Sequence, residues 1–182
     1  EIDRKFKTNE LYIKKKHRIQ FVLLTIFTLI VVYTGALVRH VNAHLVCESW
    51  PFCISGKPLA FTEYSFHQWI QMGDRLLAAI LFIWTIILLI QFVKQYGEHR
   101  VMVWGWTITT SLLLLQVIFG ALIIYTRLNI WIALFHALFI TLFFGMLSYF
   151  ILLSYRSYRL KAPEPRSWRT VLSYNEKMES EL

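Results

Sequence analysis

Charged side chains leave four long gaps along the chain. Ile19–Val38, Leu76–Val93, Val101–Thr126 and Leu128–Tyr155 contain no Asp, Glu, Lys or Arg. At about 1.5 Å per residue, each crosses, or nearly crosses, a hydrocarbon layer of about 30 Å. The second gap is the shortest, at 18 residues. Its helix is expected to start earlier, near Phe66, and so to carry Asp74 and Arg75 into the membrane. Backbone amides cannot stay unpaired in lipid, so these runs must be helices. A soluble helical core would show one polar face per helix, and these runs show none. The expected fold is therefore all-α, an integral membrane four-helix bundle made of two helical hairpins.

The rest of the chain is polar and divides it into three parts. Residues 1–18 form a basic linker, 19–155 the four-helix domain, and 156–182 a polar tail in which Pro163 and Pro165 stop the last helix. Over the 182 residues, 57% are hydrophobic and mean hydropathy is +0.50, high for a soluble domain of this size. No secretory signal is expected, because the first apolar run is too long and lacks a small-residue cleavage site. The first residue is Glu1 rather than Met, which suggests part of a longer chain.

Lysine and arginine set the orientation. Fifteen of the 19 lie in residues 4–18, at 94–100 or in the tail. Only Arg39, Lys57, Arg75 and Arg127 belong to the other side. By the positive-inside rule both termini and the 94–100 connection are cytoplasmic, in a multi-pass protein of the cell membrane. The net charge of +8 is thereby explained by membrane lipid, against anionic headgroups. No folded basic surface suggests a nucleic-acid partner.

Cys47 and Cys53, the only two cysteines, lie in the first outer loop, within Cys-Glu-Ser-Trp-Pro-Phe-Cys. On the oxidising side of a membrane a disulfide between them is expected, with two free thiols as the alternative. Trp50, Trp69, Trp131, Tyr33 and Tyr125 cluster toward the same side, as an interfacial belt does.

Ionisable groups inside the membrane are the functional candidates. Asp74 lies about two turns into the second helix and His136 a similar depth into the fourth, both in the outer half. Groups at matching depth can face one planar cofactor between helices. A histidine there suits heme iron as an axial ligand; a hydrogen bond to a neighbouring helix is the plainer reading. His67, seven residues before Asp74 on the same face, falls at the interface. A weak internal repeat pairs the hairpins: Tyr33-Thr34-Gly35-Ala36-Leu37-Val38 echoes Ile118-Phe119-Gly120-Ala121-Leu122-Ile123. Gly35 and Gly120 would let a helix or a flat macrocycle approach the backbone closely.

These residues resemble a known family. Val31-Val-Tyr-Thr-Gly-Ala-Leu-Val-Arg-His40, Cys47 through Pro51-Phe52-Cys53, Phe66-His-Gln-Trp-Ile-Gln-Met-Gly-Asp-Arg75, Gly105-Trp106, Gln116, Gly120 and Ala133-Leu-Phe-His136 are similar, in order and spacing, to the C-terminal half of Bacillus-type heme A synthases. The resemblance covers the start of the chain to about residue 155. It implies an oxidoreductase that converts the methyl group of heme O to the formyl of heme A. Each of its two four-helix halves holds a cofactor, and residues 5–18 correspond to the linker between them. The N-terminal half, implied as a covalently linked partner, carries the oxidation site. The C-terminal half holds heme b between two histidines and serves electron transfer or structure. A homo-oligomer is a further pairing left open. Gln71 stands where the family's catalytic glutamate would, so no catalytic residue is expected in this half. His136 matches one heme ligand, and Asp74 stands in place of the other, which puts bis-histidine binding and heme occupancy in question. Gly35, Arg39, His67, Arg75 and Gly120 would neighbour the heme. A non-catalytic membrane subunit or assembly factor that kept the fold and lost heme is the alternative.

Overall fold

The computed structural model describes residues 13–54 and 61–161, the side chains of 61 and 157–161 excepted. Most of the basic linker, Lys57 and the tail beyond 161 lie outside the described residues. Four helices carry the chain: α1 (Lys15–His40), α2 (Phe66–Tyr96), α3 (Arg100–Tyr125) and α4 (Ile130–Lys161). A short 3-10 turn, Phe61–Glu63, precedes α2. All four helices are long and apolar enough to span a membrane, so the chain is a multi-pass membrane bundle. Among the described residues there is no strand.

The helices overrun the charge-free gaps. Lys15, Lys16 and Arg18 form the first turn of α1, and α4 continues past Tyr155 to Lys161. Long basic side chains at helix ends can reach the headgroups, so the backbone need not stop where the apolar run stops. α2 begins at Phe66, as its polar content requires. Ser65 closes it with a capping box: its hydroxyl accepts from Gln68 N, and its own N–H donates to Gln68 Oε1 at 2.8 Å. Asn129 Oδ1 accepts from Trp131 N at 3.0 Å to start α4.

Each helix packs on its chain neighbours, and α4 closes the ring against α1. The start of α1 meets the end of α2, where Lys14 N donates to the Tyr96 hydroxyl at 3.3 Å. The His17 ring nitrogens sit 2.9 Å from Gln20 Oε1 and 2.7 Å from Gln95 Oε1. Arg18 lies over the Tyr155 ring at 5.1 Å, tying α1 to α4. These contacts define a basic end of the bundle; the cysteine loop defines the other.

The outer surface is apolar. Ile26, Ile30, Ile80, Ile83, Ile87, Ile108 and Leu142 are exposed, as residues facing lipid tails must be. Threonines within the spans satisfy their hydroxyls on the preceding turn, as Thr28 does on Leu24 O and Thr85 on Leu81 O, both at 2.8 Å. Tyr33, Trp50, Trp69, Tyr125 and Trp131 are exposed toward the cysteine-loop end, consistent with a belt.

Packing is uneven along the axis. In the basic half Phe21, Phe92, Trp106 and Phe150 form an aromatic plug: Trp106 stacks on Phe150 at 5.2 Å and on Phe21 at 5.5 Å, and meets Phe92 at 4.8 Å. Leu24, Leu81, Leu88, Met102, Phe143 and Leu147 fill the space around it. In the other half the core thins to Val31 and Val38 of α1 and the cluster around the disulfide. No residue between Leu113 and Phe143 on α3 and α4, nor between Gln71 and Leu81 on α2, is fully buried. Asp74 and His136 both fall in this looser half.

Candidate cofactor site

The two hairpins place equivalent side chains by the same local geometry. Helix α1 ends with Ala43 N donating to Val38 O at 2.9 Å and Asn42 in the left-handed region, φ 54°. Helix α3 ends with Leu128 N donating to Ile123 O at 2.9 Å and Arg127 left-handed, φ 49°. Both are Schellman-type ends, in which the left-handed residue lets later amides satisfy the last carbonyls. Asn42 follows Gly35, and Arg127 follows Gly120, by the same interval. The repeat expected between 33–38 and 118–123 is therefore present in the backbone.

It also reaches across each hairpin. A Cβ on Gly35 would lie 3.6 Å from Asp74 Oδ1, and one on Gly120 would lie 3.2 Å from His136 Cε1. So the glycine of each first helix faces Asp74 or His136 on the second. Asp74 lies eight residues into α2 and His136 six into α4, about 12 Å and 9 Å from the helix starts.

His136 is half-buried and held by one residue. Its Nδ1 is 3.0 Å from the Gln116 carbonyl oxygen. A carbonyl only accepts, so Nδ1 carries the proton and Nε2 keeps its lone pair. The Gln116 side-chain Nε2 then donates to His136 Nε2 at 2.9 Å, which leaves Gln116 Oε1 buried without a partner. An imidazole fixed through Nδ1–H on a backbone carbonyl is oriented as a metal-bound histidine usually is. With the Gln116 amide turned aside, that lone pair on a ring seated against Gly120 would fit a heme held on one side by His136.

Asp74 does not fit as the opposing ligand. Its Oδ1 accepts from the Thr34 hydroxyl at 2.7 Å, and its carboxylate is a hard anion where low-spin heme iron takes a neutral nitrogen or sulfur. Among the described residues no three His, Cys, Asp or Glu side chains gather into a metal cage.

The remaining expected residues divide clearly. Arg75 belongs to the cysteine loop: its Nη1 donates to Ser49 O at 2.9 Å and Pro51 O at 3.0 Å. Arg39 is exposed at the end of α1, within electrostatic range of His136. His67 is exposed in the first turn of α2, against Phe66. Cys47 and Cys53 are joined, Sγ–Sγ 2.06 Å. Gln71 is buried and bonds to the loop backbone. The sequence pattern did not single out that anchoring of the loop by Gln71 and Arg75, nor the double hold of Gln116 on His136. Each depends on which helix meets which, and local spacing carries no sign of it.

A profile of the COX15-CtaA family, described as cytochrome oxidase assembly protein, matches residues 2–148. A heme A synthase of Oceanobacillus iheyensis is 54% identical over 159 residues, covering 87% of this chain and 52% of that protein. One of Lysinibacillus sphaericus is 43% identical over 178 residues, 98% of this chain and 53% of that protein. One of Geobacillus kaustophilus is 46% identical over 159 residues, 87% of this chain and 49% of that protein. The chain thus spans about half the length of the curated relatives it matches. With a match over most of its length and four membrane-spanning helices in two repeated hairpins, the chain belongs to the COX15-CtaA family of cytochrome oxidase assembly proteins.

Proposed function

We propose that the chain is the C-terminal, cofactor-holding half of a heme A synthase, the enzyme that oxidises the heme O methyl group to the formyl of heme A. In this reading the oxidation belongs to a linked N-terminal half, and this half holds heme b for electron transfer or structure. The observation that carries the proposal is His136. Its Nδ1–H is committed to the Gln116 carbonyl, so Nε2 carries the lone pair that iron would take by displacing the Gln116 side-chain amide, and Gly120 lets the ring sit against α3.

A heme held there would supply a one-electron redox centre. The chain's own residues do the rest. Gln116 fixes the imidazole, Gly120 lets that ring lie against α3, and Arg39 supplies positive charge toward the loop end, suited to heme carboxylates. Gln71 is an amide, so it offers no acid or base. By the distribution of lysine and arginine, the basic end is cytoplasmic and the cysteine loop extracellular in the cell membrane.

One observation favours a second reading, a membrane subunit or assembly factor that kept the fold without heme. Asp74 is paired with Thr34, and His136 Nε2 takes the Gln116 amide, so both ionisable side chains find partners without heme.

Heme titration separates the two. On the proposal, the purified chain binds heme b weakly through His136, with a high-spin spectrum. Asp74→His supplies a second imidazole and converts it to a low-spin, six-coordinate b-type spectrum. Failure of both the chain and the Asp74→His variant to take up heme would favour the second reading.

A further inference from the structure

Between Cys47 and Cys53 the loop that follows α1 makes few hydrogen bonds within itself. Glu48 N donates to Cys53 O at 3.1 Å and the Ser49 hydroxyl to Phe52 O at 2.8 Å. Yet Cys47 and Cys53 are each only 1% exposed. Backbone groups near a membrane core need partners, and here two side chains of α2 supply them. Gln71, itself 5% exposed, uses both ends of its amide: Cys47 N–H donates to its Oε1 at 3.0 Å, and its Nε2 donates to His44 O at 2.9 Å. One turn on, Arg75 Nη1 donates to the carbonyls of Ser49 and Pro51 and, more weakly, to that of Phe52 at 3.3 Å. Tyr64, Ile54 and Met72 pack around the disulfide.

We infer that Gln71 and Arg75 form a two-point clamp that seats the disulfide loop on α2, and that position 71 requires a group able to donate and accept at once. Gln71 is a positioning residue. It lies one turn before Asp74, so the clamp fixes the same stretch of α2 that carries the site. From the loop, Tyr125 on α3 donates to Trp50 O at 3.4 Å, so the seated loop also reaches the second hairpin. None of this depends on heme.

The chemistry makes a conditional variant available. A carboxylate at position 71 accepts from Cys47 N–H but sets a second acceptor against His44 O. A protonated carboxyl both donates and accepts, as the amide does. Gln71→Glu should therefore clamp the loop only at acid pH. The ionisable groups around the clamp are His44 and Glu48 on the loop, Glu63 and Tyr64 before α2, His67, Asp74 and Arg75 on α2, and Tyr125 at the end of α3. Reading each variant as a ratio to the unmodified chain at the same pH removes their shared contribution.

The test uses the purified chain in bilayers and measures the rate at which a water-soluble phosphine reduces Cys47–Cys53. Because both sulfurs are buried, reduction reports loop opening. Gln71→Ala loses both hydrogen bonds and should be reduced roughly tenfold faster than the unmodified chain at every pH. Gln71→Glu should match Gln71→Ala at alkaline pH and fall to within about twofold of the unmodified chain as the carboxyl takes up its proton. Should Gln71→Ala fail to fold, the pH profile of Gln71→Glu decides alone. A Gln71→Ala rate within about twofold of the unmodified chain, or a Gln71→Glu ratio that does not fall with acid, overturns the clamp.

Discussion

Asp74 and His136 stand in matching places but in different chemistry. Asp74 faces Gly35 with room to spare, since a methyl there would meet its carboxylate at an ordinary 3.6 Å. A methyl on Gly120 would press His136 Cε1 at 3.2 Å and displace the ring. Gly35→Ala should therefore leave heme uptake unchanged. Gly120→Ala should weaken it about tenfold, as expected when a ring is moved off its hydrogen bond to the Gln116 carbonyl. Spectrophotometric heme titration of the two variants checks this; equal losses would mean that His136 is not held as described. At this scale the sequence was informative about which residues to watch: both ionisable groups and both glycines could be read from the charge-free runs and the echoed hexapeptides. Their partners could not. Gln116 and Gln71 are ordinary polar residues until the neighbouring helix or loop arrives, and a side chain's hydrogen-bond partner across the bundle leaves no trace in its own segment.

The helices themselves were legible because lipid leaves few alternatives: a long charge-free run must pair its amides internally. Their ends were less so. Basic residues extend α1 to Lys15 and α4 to Lys161, since flexible cationic side chains let the backbone run on past the apolar core. Close packing of the helix pairs was also hidden. Gly105 admits α4 so closely that a Cβ there would lie 2.5 Å from Phe150 Cζ, and Phe150 is fully buried between Trp106 and Phe21. Gly105→Ala should cost about 1–3 kcal/mol through overpacking. Reversible unfolding in mixed micelles would register this. A neutral effect would mean that the aromatic plug yields more readily than its burial suggests.

Among the described residues the bundle is densely packed in one half and more thinly packed in the other. Aromatic rings fill the basic half; the cysteine loop, held by Gln71 and Arg75, covers the end of the other. That arrangement suits a cofactor held between hairpins. The proposed orientation puts the plug toward the cytoplasm. Glu98→Cys tests it better than a change at Gly97, where a Cβ would meet Val93 O at 2.9 Å. In intact cells an impermeant thiol reagent should leave position 98 unlabelled until the membrane is opened; labelling from outside would reverse the assignment. The narrower proposal is that His136 holds the heme. Its most direct test is the reduced-minus-oxidised optical spectrum of the purified chain after heme b loading, with and without His136→Ala. A heme signal is expected in the unmodified chain and lost in the variant, while helix content is retained. A heme spectrum of the same shape and intensity in His136→Ala would contradict it.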